Sequence, residues 1–267
     1  MTSQIMSESP ARPERISIGG VPIDIVSQNQ AVRYVGTLLD SKTPQMIRIA
    51  GVNAHFVNIA RRDKQLGDFL RKSTLNVADG ASILLAARVF GRKIPERVTG
   101  IDLMVDLCKY AAESGKSVYL FGGMDGAAEG AASWMHKHLP SLRIVGVDRP
   151  EHGKEFDPVV VEQVRTRIRT AQPDFLFVCL GVPRQELWIE QFTSDLPVKV
   201  VMGNGAAFDV LAGFFVRPSQ RIQELGLEWA YRLWKEPARL WRRYLIGNLT
   251  FSMAVLGQLA ATLVRLR

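Results

Sequence analysis

Short apolar runs of strand type recur along this chain at 46–50, 75–78, 118–121, 144–147, 175–180 and 198–202, and amphipathic helical stretches separate them. This repetition is the strongest constraint on what the chain can fold into, because strands joined through helices pair in parallel and need both sheet faces covered. It predicts an α/β fold with a mainly parallel sheet and helices on both faces. Ahead of it, 16–25 alternates around Gly19-Gly20 in the manner of a hairpin. At 267 residues, with 47% hydrophobic and 22% charged side chains, the chain can bury a sizeable core and has the composition of a soluble globular protein.

Several of the runs end in a glycine-bearing or polar turn: Gly51-Val52-Asn53, Asp79-Gly80, Gly122-Gly123, Gly181 and Gly203-Asn204-Gly205. In open parallel sheets the ligand crevice lies outside the carboxyl ends of the strands, so chemistry is expected at these turns. Any one of the glycines serves equally as a plain strand-to-helix turn. Asp79 falls just past a buried strand, where a carboxylate can take a proton from an attacking hydroxyl; the competing role is the N-cap of a helix starting at Ala81. Gly122-Gly123, with Gly126 and Gly130 following, offers backbone N–H groups to a phosphate, but the Gly-x-Gly-x-x-Gly spacing is missing and no acidic residue is placed for a ribose. A nicotinamide oxidoreductase is therefore a weak alternative. Pro183-Arg184-Gln185-Glu186 sets three polar side chains in the first turn of a helix whose Trp188 and Ile189 turn inward, although Glu186 also suits the helix dipole.

No Walker lysine, zinc-type His/Cys spacing or Gly-x-Ser-x-Gly elbow occurs, so neither a metal nor a cofactor is expected. Cys108 and Cys179 lie far apart in apolar runs and read as two core thiols. Residues 1–14 carry little apolar content, are expected to fray, and lack the stretch a secretory signal requires, which points to the cytoplasm.

The basic charge is unevenly placed. Nine Lys/Arg against three Glu give 217–267 a charge of +6, leaving +2 for the first 216 residues of a chain that carries +8. A catalytic domain over 15–216 and a helical, basic appendage over 217–267 follow. Pro237 suits the start of a helix that puts Arg239, Arg242 and Arg243 on one face. The 20 residues 245–264 are uncharged, with Leu249, Met253, Leu256, Ala260 and Leu263 in one stripe. That pattern favours a helix lying in an anionic membrane interface, ahead of packing on a partner or a second copy, and ahead of a true span. Clustered Arg among Trp and Tyr also suits a non-enzymatic module that grips nucleic acid, but such a ligand offers nothing to the apolar stripe, so no nucleic-acid partner is expected.

As an ordered series, Asn53, Asp79-Gly80, Arg97 with Gly100, Phe121-Gly122-Gly123, Gly181-x-Pro183-x-Gln185-Glu186, Gly205, Phe208-Asp209, Ala212-Gly213 and the tail Glu228-Trp229…Tyr231-Arg232…Glu236-Pro237-x-Arg239 resemble the WecG/TagA/CpsF glycosyltransferases. The resemblance runs from about Ile16 through Tyr244. It implies a Rossmann-like sheet and an inverting, metal-independent transfer of a hexose (glucose, N-acetylmannosamine or its uronic acid) from a UDP-sugar to a polyprenyl-diphosphate-linked sugar, during assembly of a cell-surface polysaccharide. It further implies Asp79 as general base, with Arg232, Arg239 and Arg242 acting in catalysis. Asn53, Arg97, Gly122, Gly123, Gln185, Glu186, Gly205, Asp209 and Arg243 are the expected substrate contacts. Where the family commonly has Thr, two residues before the asparagine, this chain has Gly51, which bears on the choice of donor sugar.

Overall fold

The structure, a computed structural model, describes residues 11–41, 45–219, 221–222 and 226–265; the side chains of Arg239, Arg243 and Arg265 lie outside the described set. The chain opens with an antiparallel hairpin, β1 (Arg15–Ile18) and β2 (Val21–Asp24), whose Gly19-Gly20 turn has positive φ at both residues. Two adjacent positive φ values are what a tight turn matched to strand twist demands, and glycine meets them without strain. Of the stretch expected to fray, 11–14 is described, and Arg12 donates to the Ser73 carbonyl at 2.6 Å.

Six parallel strands follow: β3 (Ile47–Val52), β4 (Leu75–Ala78), β5 (Ser117–Gly122), β6 (Arg143–Asp148), β7 (Phe175–Cys179) and β8 (Val200–Gly203). They are parallel, as the strand-helix alternation predicts, and lie side by side in the order β4-β3-β8-β7-β5-β6. Side chains alternate across the sheet with period two. Phe175, Phe177 and Cys179 of β7 join one core with α1 (Gln28–Asp40), α5 (Gly100–Glu113), α6 (Ala127–His138) and α9 (Ala207–Leu211). Leu176 and Val178 face the other, with α2 (Ala54–Ala60), α3 (Lys64–Lys72), α4 (Ala81–Val89), α7 (Pro158–Ala171) and α8 (Arg184–Phe192). Both faces of the central strands are thus sealed, which explains why these runs are apolar at nearly every position rather than alternating. Cys108 and Cys179 are buried free thiols, and burial pushes both up out of the ordinary thiol range.

Beyond the sheet come α10 (Glu228–Lys235), α11 (Pro237–Trp241), a single π-type stretch over Arg242–Ile246, and α12 (Gly247–Arg265). Pro237 opens α11 as expected, its missing N–H falling where a helix has no partner to offer. One face of α12, with Phe251, Ala254 and Val255, is buried, and Phe251 and Val255 join the core cluster that contains α2. Polar clasps hold it at two points: Asn58 Nδ2 donates to the Gly247 carbonyl at 2.7 Å, and Gln258 accepts from Gly19 N at 2.7 Å while donating to Ser17 O at 2.8 Å. The other face carries Leu249, Met253, Leu256 and Leu263, all more than half exposed. The span 244–264 is long and apolar enough to cross a membrane by length and composition.

Candidate active site

A cleft of ≈ 1020 Å³ opens over the carboxyl ends of the parallel strands, and residues of the C-terminal segment form its far wall. Asp79 continues β4 by one residue: its N–H donates to Val52 O at 2.9 Å, so the carboxyl group emerges at the strand end. It does not cap the next helix, whose N-cap is Gly80 without a side-chain bond. Instead Oδ2 accepts from Gly100 N at 3.3 Å, at the amino end of α5. Two glycines leave space around this carboxylate, since a Cβ on Gly51 would sit 3.3 Å from Oδ2 and one on Gly100 3.6 Å away. Burial raises the proton affinity of Asp79 above the usual aspartate range; the Gly100 N–H opposes this, the charge of Glu228 adds to it, and Arg97 and Arg232 oppose it.

Asn53 caps α2, its Oδ1 accepting from His55 N and Phe56 N at 3.0 and 3.2 Å, and it lines the cleft beside Gly51. At the end of β7, Gln185 lies in the first turn of α8 and reaches under the β8 loop, where its Oε1 accepts from Gly205 N at 2.9 Å. Both Gln185 and Gly205 line the cleft. Glu186 does not: it is fully buried behind Gln185, taking that residue's Nε2 on Oε1 at 2.6 Å, while Oε2 has no hydrogen-bond partner. The expected substrate contact is therefore replaced by a supporting role in the wall. Burial pushes this carboxyl up to about 8, so it is protonated at neutral pH.

The glycine turn after β5 also departs from expectation. Gly123 N donates to Cys179 O at 2.7 Å and Met124 N to Asp209 Oδ1 at 2.8 Å, so those two N–H groups are already used inside the protein. Gly122 stays out of the lining; its φ is +104° and a Cβ would fall 2.5 Å from the Cys179 carbonyl oxygen, which makes it a close-approach glycine rather than a ligand contact. Gly123 and Asp209 do line the cleft, Asp209 holding the turn and raised by burial.

From the C-terminal segment come Arg217, Tyr231, Arg232, Lys235, Glu236, Leu240 and Tyr244. Arg217 grips Asp102 of α5 with two bonds, at 2.7 and 3.0 Å. Arg232 Nη2 donates to Glu228 Oε1 at 2.6 Å, and Glu228 Oε2 accepts from Arg97 Nη1 at 3.0 Å. Arg97 thus stays out of the lining, behind Glu228. Arg242 is exposed with its guanidinium over the Trp241 ring, 5.2 Å from the centroid, and is likewise absent from the lining. Leu240 and Tyr244 face the cleft four residues apart, so a residue midway between them in sequence points to the opposite side. The side chains of Arg239 and Arg243 lie outside the described residues. Among the described residues no group of three or more His, Cys, Asp or Glu side chains is placed to hold a metal ion.

The sequence reading assigned no contact role to several lining residues: Arg149 and His152 after β6, Arg184 beside Gln185, and Tyr231, Lys235 and Tyr244 on the far wall. Arg149 was within reach of the strand-end rule that found Asn53 and Asp79, because it follows the run ending at Val147. Arg149 is paired with Asp125 at 3.0 Å and Arg184 with Glu155 at 2.5 Å.

A carboxylate facing arginines across a strand-end cleft suits acid–base group transfer from a phosphorylated donor, and comparison with known proteins decides the class. The sequence pattern of the glycosyl transferase WecG/TagA/CpsF family matches residues 16–264. The chain belongs to this family. It is similar to the N-acetylglucosaminyldiphosphoundecaprenol N-acetyl-beta-D-mannosaminyltransferases of Staphylococcus aureus strains MRSA252 and NCTC 8325 / PS 47, at 27% identity over 236 residues, covering 87% of this chain and 91% of each relative. Family membership makes the protein an enzyme of glycosyl transfer and sets aside both the oxidoreductase and the non-enzymatic alternatives.

Proposed function

We propose that this family member transfers a hexose, N-acetylmannosamine foremost, from a UDP-sugar to a sugar carried on a polyprenyl diphosphate, with inversion and without a metal ion. The observation that carries this reading is the sharing of one cleft by Asp79, on the sheet, and Arg232, on the C-terminal helices of the same chain. An acceptor hydroxyl attacks the anomeric carbon from the face opposite the diphosphate, Asp79 takes the hydroxyl proton, and the bond from the anomeric carbon to the diphosphate oxygen breaks. The departing UDP carries the developing negative charge, which Arg232 and Lys235 offset from the far wall. Asn53, Gln185 and Gly205 supply fixed polar contacts for the donor. The raised proton affinity of Asp79 matches a base that accepts a proton in turnover; as the active form is the carboxylate, kcat/KM should rise with pH through an acidic limb above the usual aspartate range.

Location follows from the same segment. The exposed apolar side chains of α12, together with the exposed Trp234 and Trp241, form a surface suited to the acyl boundary of an anionic bilayer, with the tail's arginines and lysine for the headgroups. What favours lying on the membrane over crossing it is the packing of Phe251 and Val255 into the core. The enzyme then works at the cytoplasmic face, in cell-surface polysaccharide synthesis, where its lipid-borne acceptor resides.

The test is a screen of UDP-sugars with a short-chain diphosphate-lipid acceptor, in the presence of EDTA, for the wild type and Asp79→Asn. Transfer by the wild type and a loss of about 10²–10⁴-fold in the variant, with an unchanged melting temperature, are expected. Near-normal transfer by Asp79→Asn removes the general-base assignment, and abolition of wild-type transfer by EDTA removes metal independence.

A further inference from the structure

We propose that Arg97 and Glu228 form a relay that fixes Arg232 in the cleft, making Glu228 the positioning residue through which the sheet domain places an appendage cation beside Asp79. The proposal rests on the transfer reading above and assigns a role to a motif residue, the Glu of Glu228-Trp229, that the reaction itself leaves unused.

Glu228 is the first residue of α10, and its carboxylate is largely shielded from solvent. Each of its oxygens takes one guanidinium: Oε2 receives Arg97 Nη1 at 3.0 Å and Oε1 receives Arg232 Nη2 at 2.6 Å. Of the three, Arg232 alone lines the cleft. A carboxylate is rigid and planar, so fixing one oxygen on Arg97 sets the direction in which the other can hold Arg232. Arg97 is itself anchored to the catalytic end of the sheet. It lies two residues before Thr99, the N-cap of α5, in a segment tied to β4 by the bond from Val98 N to Ala78 O at 3.0 Å. The next bond along this edge is the one from Gly100 N to Asp79. The same short stretch therefore positions both the carboxylate and, through Glu228, the cation opposite it.

The arrangement leaves binding capacity open. A guanidinium has five N–H donors in a planar fork, and the bond to Glu228 uses one of those on Arg232. The remaining edge stays available to diphosphate oxygens. A lone i,i+4 pair within α10 would leave the Arg232 side chain free to swing with its helix; the third member converts a local pair into a tie between sheet domain and appendage. Arg217, paired to Asp102 at the same edge, is a second tie that does not pass through a bond to Glu228, so loss of Glu228 alone leaves one tie in place.

The experiment is a double-mutant cycle on full-length protein, read by UDP binding in calorimetry and by kcat/KM. Glu228→Gln should weaken UDP about tenfold with an unchanged melting temperature. Arg232→Ala should cost about tenfold in the wild-type background but no more than about twofold when Glu228→Gln is already present, because the cation is no longer held in place. Arg97→Ala should reproduce Glu228→Gln and add little to it. A merely structural role would give additive losses. Glu228→Gln binding UDP as well as or better than wild type, or an Arg232→Ala cost that is the same in both backgrounds, overturns the relay. Asp79→Asn separates the two claims, since UDP binding does not require the base: full turnover by that variant sinks the general-base reading and leaves the cycle standing.

Discussion

The sheet domain and the C-terminal helices hold their shape by different means. Each central strand is buried on both faces, and residues such as Phe177, Val178, Val201 and Met202 have no solvent contact at all. In α10, by contrast, none of the eight residues is buried, and the described residues of 228–265 add only Leu240, Phe251, Ala254 and Val255 to the core. That segment is placed by Arg217 on Asp102, by Arg97 on Glu228, and by the two amide clasps of α12. The catalytic end of the molecule is therefore one hard wall facing one lightly held wall. Changes in the first should register in stability and changes in the second in function, and three variants test that division.

The largest expected effect is on the lightly held wall. Placing Asp at Leu249, Met253 and Leu256 together should lower partitioning onto vesicles with anionic headgroups by about ten-thousandfold, since each apolar side chain contributes on the order of 2 kcal/mol when buried. The melting temperature should stay within about 2 °C because those positions lie off the core. Flotation equal to wild type would place the membrane contact elsewhere. Next comes the hard wall. Gly122→Ala must accommodate a φ of +104° and a Cβ 2.5 Å from the Cys179 carbonyl oxygen, so a loss of about 3 kcal/mol, or roughly 6–12 °C in Tm, is expected with vesicle binding unchanged. An unaltered Tm would mean that the strand ends are as pliable as the appendage.

The third variant concerns Glu186. Its carboxyl has an ordinary value of 4.5 and is pushed up to about 8 by burial. The folded state therefore holds the proton more tightly than the unfolded state, and stability falls as pH rises from about 4.5 to about 8. Glu186→Gln, which keeps an oxygen for Gln185 Nε2, removes this penalty: a Tm gain at pH 8, shrinking to none below about pH 4.5, is expected. A gain independent of pH would show that packing, not ionisation, separates the two side chains.

The sequence reveals whatever depends on local period and on strand ends. The six parallel strands, the Gly19-Gly20 hairpin and the start of a helix at Pro237 all follow from patterns within a few residues. Asn53, Asp79, Gln185 and Gly205 meet in one cleft for the same reason: each sits at a strand's carboxyl end, and the topology collects those ends. What the sequence hides is rotation about a helix axis and pairing across long separations. Gln185 and Glu186 are neighbours, yet one faces the cleft and the other the core, because the docking of α8 on the sheet sets its phase. Arg242 turns away for a related reason, as the chain passes through the π-type stretch beginning there. Nothing local marks Arg97 and Glu228 as partners, since they are 131 positions apart and meet only once the tail has folded back.

Gln258 holds the first hairpin from a position 239 residues later in the chain. During synthesis the sheet can therefore close long before its outermost clasp leaves the ribosome. The core-facing side chains Phe251 and Val255 of α12 emerge only when their docking surface on α2 already exists. The order of translation thus gives those two side chains a partner as soon as they appear, and the reaction chamber is complete only once the helices that carry Arg232, Leu240 and Tyr244 have been made.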